Sequence, residues 1–204
     1  LCFSSLALAE GFAVSADYSF MGIDEWDQDL TALTLRGEYD AGSLLVGGSY
    51  LFALSYDPAP PSGTEVSDNW LCLYGGYKLL DEDVYGLALI GGYSLWSEKL
   101  SDGIDTISAK VSSIGAGAKG TLNLEPINVS ALLLYGISND YKVFLNGSEM
   151  VSSTDVSLLY LELKGSYQFT DSLGVFGVYR RAAYSIMDNK VTVAGFGLGV
   201  DYRF

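Results

Sequence analysis

Apolar and polar residues alternate along most of the chain, in segments that recur about every 20 residues between turn-forming stretches. Phe12, Val14, Ala16, Tyr18 and Phe20 share one parity, and Ala13, Ser15, Asp17 and Ser19 share the other. Tyr85, Leu87, Leu89, Tyr93 and Leu95 likewise oppose Gly86, Ala88, Gly92 and Ser94. Successive strand side chains point to opposite faces, so these runs predict strands with one apolar face and one small or polar face. The predicted strands run Gly11 to Met21, Leu30 to Tyr39, Leu44 to Tyr56, Asn69 to Leu80, Val84 to Trp96, Ile107 to Asn123, Val129 to Ser138, Val156 to Phe169, Leu173 to Ser185 and Val191 to Phe204. That makes about ten, and eight or twelve if a segment has been split or merged.

The connections alternate in length. Long ones are Gly22 to Asp29, Asp57 to Asp68, Ser97 to Thr106, Asn139 to Asp155 and the shorter Ile186 to Lys190. Tight ones lie at Asp40 to Ser43, Asp81 to Asp83, Leu124 to Asn128 and Thr170 to Ser172. This order predicts an all-β fold, a closed antiparallel up-and-down barrel with both chain ends on the side of the tight turns. Although 49% of the residues are hydrophobic, no run of 18 apolar residues is free of charge, which excludes a spanning helix. A closed barrel can still enter a bilayer, because closure pairs every backbone amide and carbonyl without water.

Aromatic residues bunch at predicted strand ends. Tyr39, Tyr77, Tyr85, Tyr167, Tyr202 and Phe204 fall on the tight-turn side, as an interfacial girdle requires, and Tyr56, Trp70, Tyr93 and Tyr184 suit the opposite girdle. Three segments are ambiguous. Val129 to Ile137 is apolar at both parities, and Ile107 to Asn123 needs a bulge or an overhang. In Val178-Tyr179-Arg180-Arg181 a strict period of two sends one arginine outward, here Arg180, with Arg181 inward.

The last strand sets Phe196, Leu198, Val200, Tyr202 and the terminal Phe204 on one face and Gly197, Gly199, Asp201 and Arg203 on the other. It resembles the β-signal that the outer-membrane assembly machinery reads on its substrates. In pattern over its whole length the chain resembles small bacterial outer-membrane β-barrel proteins of the porin-like, outer-membrane β-barrel domain superfamily. The resemblance implies residence in the outer membrane with both termini in the periplasm and the long loops outside. It implies membrane lipid, lipopolysaccharide and the assembly machinery as partners. A bulge would resolve the paired arginines, as would an interfacial position, where Arg180 could meet lipopolysaccharide phosphates. Leu1 to Ala9 ends in Ala7-Leu8-Ala9, of the A-x-A cleavage type, and predicts the remnant of a signal peptide before a single barrel domain over residues 10–204. Cys72 would then be alone, and no intramolecular disulfide could form.

The formal charge of -14 sits mostly in the connections, at Asp24, Glu25, Asp27 and Asp29, at Asp57, Glu65 and Asp68, and at Asp81, Glu82 and Asp83. No basic patch exists to neutralise phosphates, so nucleic acid is not an expected partner. The chain contains no histidine. The familiar outer-membrane barrel enzymes, among them the omptin proteases, outer-membrane phospholipase, the lipid A palmitoyltransferase and the lipid A deacylases, depend on one as general base or activator. No catalytic site, cofactor or metal centre is therefore expected. The run Asp24 to Asp29 could hold a cation but reads as a solvated acidic loop. Gly115-Ala116-Gly117-Ala118-Lys119-Gly120 lacks the Lys-Ser/Thr ending of a phosphate loop and sits inside a strand.

Parity places Asp17, Arg36, Glu38, Glu162, Lys164, Asp201 and Arg203 in the lumen, with Lys78 and Arg181, where opposite charges should pair. Small residues such as Gly47, Gly86, Gly92, Gly195, Gly197 and Gly199 share that face. Ten strands enclose a lumen near the side-chain-filled limit. The expected function is a non-enzymatic barrel, either a narrow passive channel or a largely plugged structural barrel. The alternative is a surface interaction protein acting through its acidic loops, especially Asn139 to Asp155 with Tyr141, Phe144 and Met150, toward an unidentified partner.

Overall fold

Backbone pairing closes the chain on itself. The structure, a computed structural model, describes residues 11–24, 28–186 and 189–204; the stretch 1–9 expected to be a signal-peptide remnant, Glu10, and Glu25, Trp26 and Asp27 of the acidic run lie outside the described residues. Among the described residues eleven strands form: β1 (Phe12–Ile23), β2 (Gln28–Ala41), β3 (Leu44–Asp57), β4 (Glu65–Asp81), β5 (Tyr85–Ser101), β6 (Thr106–Leu124), β7 (Ile127–Leu145), β8 (Ser148–Ser153), β9 (Val156–Gln168), β10 (Leu173–Ile186) and β11 (Asn189–Arg203). Each barrel strand pairs antiparallel with its neighbours, and β1 pairs β11 from Ala13↔Arg203 to Ile23↔Val193. Ten strands thus make a closed up-and-down antiparallel barrel, with no free edge in its wall. No helix among the described residues is long and apolar enough to cross a membrane.

The eleventh strand, β8, arises inside the stretch expected to be the loop Asn139 to Asp155. β7 does not stop at Ser138 but continues to Leu145 and folds back on β8. The signal was Asn146-Gly147, whose φ angles of 50° and 81° are those of a two-residue hairpin turn that favours this dipeptide. Asn146 also anchors the turn sideways, its Oδ1 accepting the Thr106 amide at 2.8 Å and its Nδ2 donating to Asp105 at 2.8 Å.

β4 to β7 are 17 to 19 residues long, against 12 to 15 for the other barrel strands. Crossing a bilayer takes about 9 to 11 residues, so this side of the wall overshoots at the end away from the termini. Both devices foreseen for the long β6 are present. The β6–β7 register shifts at Ile114/Gly115, leaving Ile137 unpaired, and the strands then run on together to Ile107↔Leu145. Asn139 holds the bulge, accepting from Ser113 at 2.5 Å and donating to the Val156 carbonyl at 2.8 Å. Above it β7 leaves β9, its last partner there being Tyr135↔Leu159.

Lower in the same ladder β6 and β7 approach closely. A Cβ on Gly117 would fall on the Leu133 carbonyl, whereas one on Gly165 in β9 would meet open space. Gly117→Ala should therefore cost about 1 to 3 kcal/mol through overpacking, with Gly165→Ala close to neutral. The temperature at which the folded band disappears on an unheated gel reads the difference; equal shifts for the two variants would refute it.

The outward face carries the exposed apolar side chains, among them Leu35, Val46, Leu73, Leu89, Leu133, Leu163, Phe196 and Leu198. Toward the far end the outward positions turn polar, at Thr31, Asn69, Ser97, Ser112 and Thr192. Near the termini Tyr39, Tyr77, Tyr85, Tyr167, Tyr202 and Phe204 are exposed on the outside. The expected opposite girdle does not exist as drawn. Trp70 and Tyr184 are buried in the lumen, Tyr56 points inward to bond Asp68, and Tyr93 faces out beside Leu73 and Ile114 in mid-wall. Apolar parity is not always outward parity, because the far half of this barrel has an apolar interior as well.

Candidate functional site

The lumen is built in three tiers, and Arg180 is the centre of the middle one. Along β10 the inward positions are Phe176, Val178, Arg180, Ala182 and Tyr184, all buried, while Arg181 faces outward and is exposed. This reverses the expected assignment of the two arginines. The strand keeps a strict period of two without a bulge, and its inward face is mostly apolar, so the charge that alternates with Val178 and Ala182 is the buried one.

Arg180 uses its whole fork. Nη1 donates to Asp17 Oδ1 at 2.7 Å and Ser19 Oγ at 2.8 Å, Nη2 to Asp17 Oδ2 at 2.6 Å, and Nε to Glu162 Oε2 at 3.0 Å. Arg36 reaches the same Glu162 oxygen from β2 at 2.7 Å, and the Tyr160 hydroxyl donates to it at 2.9 Å. Two arginines thus meet two carboxylates in a neutral set, the condition under which buried charge is tolerable. Strand β11 lies between Arg180 and Asp17, and a Cβ at Gly197 would collide with Ser19, Asp17 and Val178. The glycine at that inward position is what gives the guanidinium its passage.

Above this set, away from the termini, the lumen is apolar and aromatic. Trp70 meets Tyr160 edge-on with centroids 4.9 Å apart, and Trp96 stacks on Tyr184 at 5.6 Å. Cys72, Val111, Leu158, Met21 and Val193 complete a buried cluster around them. The Trp70 indole donates to Ser94 at 3.3 Å, meeting the need of a buried N–H. At the rim above, Asp68 and Glu98 stand directly opposite one another on β4 and β5, and Tyr56 donates to Asp68 at 3.0 Å.

Below the arginine set the lumen opens into a polar vestibule of about 490 Å³ on the side of the chain termini. Arg36, Glu38, Glu162, Lys164, Asp201 and Arg203 all line it. Glu38 accepts from both Lys119 and Tyr74. Lys78, also in its lining, pairs with Asp40 at 2.5 Å and Asp81 at 3.1 Å. Lys164 forms no ion pair among the described residues and lies 4.0 Å over the Phe176 ring, and Asp201 accepts from Gln168 at 2.9 Å. Of the candidate lumen residues, Asp17, Arg36 and Glu162 therefore meet in one network, Glu38 pairs elsewhere, and Lys164, Asp201 and Arg203 stand apart. Sequence reasoning missed Arg180, and it missed Lys119, Tyr74 and Tyr160, whose parities match those of their buried neighbours. Among the described residues no group of three or more metal-ligating side chains converges.

No family model matches the sequence, and no curated protein matches it. The architecture is similar to that of the outer-membrane protease OmpT from Escherichia coli, with a TM-score of 0.62 over 96% of this chain and 97% of that one, at 12% identity. This chain has the outer-membrane β-barrel fold. The translocator domain of the autotransporter NalP from Neisseria meningitidis is similar as well, with a TM-score of 0.53 at 14% identity, covering 96% of this chain and 89% of that domain. At these identities the likeness is one of fold, and the side chains of this barrel must carry any functional argument themselves.

Proposed function

We propose that this barrel is a non-conducting integral protein of the outer membrane that acts through the surface it projects from the end opposite its termini. The observation that carries the reading is the closed lumen: the Arg180 set and the aromatic tier above it fill the bore with buried side chains. The outward apolar belt suits lipid and the tyrosines near the termini suit headgroups, which supports a membrane setting with both termini in the periplasm. The terminal strand would then be read by the assembly machinery. Arg181 and Lys190, both outward near the far edge of the belt, would meet lipopolysaccharide phosphates.

The projecting element is the β6–β7–β8 sheet. It exposes Met150, Val151 and Leu145, with Lys110 over the Phe144 ring at 5.4 Å and Lys142 between Asp140 and Glu149. Apolar and aromatic groups ringed by charge suit a protein-binding surface. A binding role accords with a chain that has no histidine to serve as the base of the familiar barrel enzymes.

Planar-bilayer recording of the refolded protein tests this reading. The expected result is a heat-modifiable species that adds no discrete openings at either polarity. Reproducible single-channel steps from that species would overturn it in favour of a narrow pore.

A further inference from the structure

We infer that the vestibule is a binding site for a small zwitterion, and specifically for a short peptide with a free ammonium and a free carboxylate. Its volume, about 490 Å³, falls in the range of small-molecule sites, about 300 to 1,000 Å³. Volume alone would accommodate water. The charged groups around it are what select a ligand.

Most of the lining charges already have partners. Glu162 is held by both arginines, Glu38 by Lys119, and Lys78 by Asp40 and Asp81. At the mouth Arg203 and Asp171 form no ion pair among the described residues but are exposed; of the less exposed groups, two cationic donors are left over. Lys164 forms no ion pair among the described residues; its ammonium sits over an aromatic face inside the barrel, and the carboxylate acting on it most strongly is Asp201, beyond ion-pair distance. Arg36, whose side chain is only 10% exposed, spends Nη2 on Glu162 and leaves Nη1 without a partner. One buried anion is also left over. Asp201, 4% exposed, receives one hydrogen bond from Gln168 on Oδ2, and its Oδ1 has none.

These groups share one region of the wall. Arg36 pairs with Ser15 across β2–β1, and Ser15 pairs with Asp201 across β1–β11, so the three face inward side by side. Lys164 projects from β9, the strand whose Glu162 Arg36 reaches across the lumen. A ligand of one sign would satisfy only part of the set. A carboxylate offered to Lys164 and the free arm of Arg36, together with an ammonium offered to Asp201, would satisfy all of it. The Phe176 ring under Lys164 and Leu132 on β7, the strand on the other side of β9, give the intervening backbone an apolar surface. Charge-assisted hydrogen bonds of this kind are strong enough that removing one should weaken binding about tenfold.

The inference rests on the outer-membrane reading only for where such a peptide would come from, namely the compartment that the termini face. Binding itself can be measured on the full chain refolded in non-ionic detergent, where both ends are accessible. The probe is Ala-Ala-Ala, followed by calorimetry and by saturation-transfer NMR, with its N-acetyl form, its C-terminal amide and sodium acetate as comparisons. The free tripeptide should bind one to one, and each blocked form about tenfold more weakly. Lys164→Met should erase discrimination against the amide and spare discrimination against the acetylated form; Asp201→Asn should do the reverse. Heat-modifiable migration checks that the variants fold, and the blocked peptides test the idea on the unaltered protein. Equal binding of all three peptides, full displacement by acetate, or no binding of any of them would each overturn the proposal. Orientation is tested apart from this, by labelling single cysteines placed at Gly42 and Gly103 in intact cells, so that failure of one reading leaves the other standing.

Discussion

Arg180→Met is expected to be the most damaging single change inside the barrel. It removes every cationic partner of Asp17, which is 2% exposed and keeps only the Ser19 hydroxyl at 2.6 Å. Stripping one partner from a buried pair costs about 3 to 5 kcal/mol, because the remaining charge stays desolvated. Lysine in its place should not rescue, since an ammonium cannot bridge Asp17 and Glu162 with a planar fork. The double variant Arg180→Met with Asp17→Asn should recover a large part of the loss, because the second change removes the stranded charge while Arg36 still neutralises Glu162. Urea unfolding in lipid bilayers measures all three. A single variant as stable as the parent, or a double variant no better than the single one, would mean that the set is not a coupled ion network.

Emptying the aromatic tier should cost nearly as much and yet open nothing. Trp70→Ala and Trp96→Ala should each lose about 3 to 5 kcal/mol as large buried rings leave cavities. Their sum should not add, since both rings contact Tyr184, at 6.3 and 5.6 Å. Neither single variant nor the pair should conduct, because the Arg180 set still fills the bore beneath them. Conductance steps from the double variant would show that the aromatic tier alone is the barrier and that the charged tier leaks. Silence with lowered stability is the outcome that assigns closure to two independent layers.

Together these expectations describe a barrel whose interior stabilises a closed wall and leaves two open surfaces, the vestibule below and the β6–β7–β8 sheet above. The closed middle separates them physically. A ligand in the vestibule could reach the projecting sheet only through the wall itself, so binding at the two ends should be thermodynamically independent unless the Arg180 set shifts.

The sequence by itself determined the class of fold, the ten barrel strands and the outward face of strands such as β1 and β11, because a period of two is a local property and Phe196 to Phe204 write it without interruption. It also determined the placing of Tyr39, Tyr77, Tyr85 and Tyr167 near the terminal end, since tight turns mark strand ends in one dimension. Only the tertiary structure decided which of two apolar parities faces in. In β9 the charges Glu162 and Lys164 mark the inward parity, but in β10 both faces carry large side chains, Val175 and Tyr179 against Phe176 and Tyr184, with one arginine on each, and nothing local distinguishes lipid from an apolar lumen. Arg180 finds Asp17 across a separation of 163 residues, through the space left by Gly197 on a third strand. Such a contact depends on closure of the ring, which brings the first strand beside the last, and alternation along one strand carries no record of what faces it across the bore.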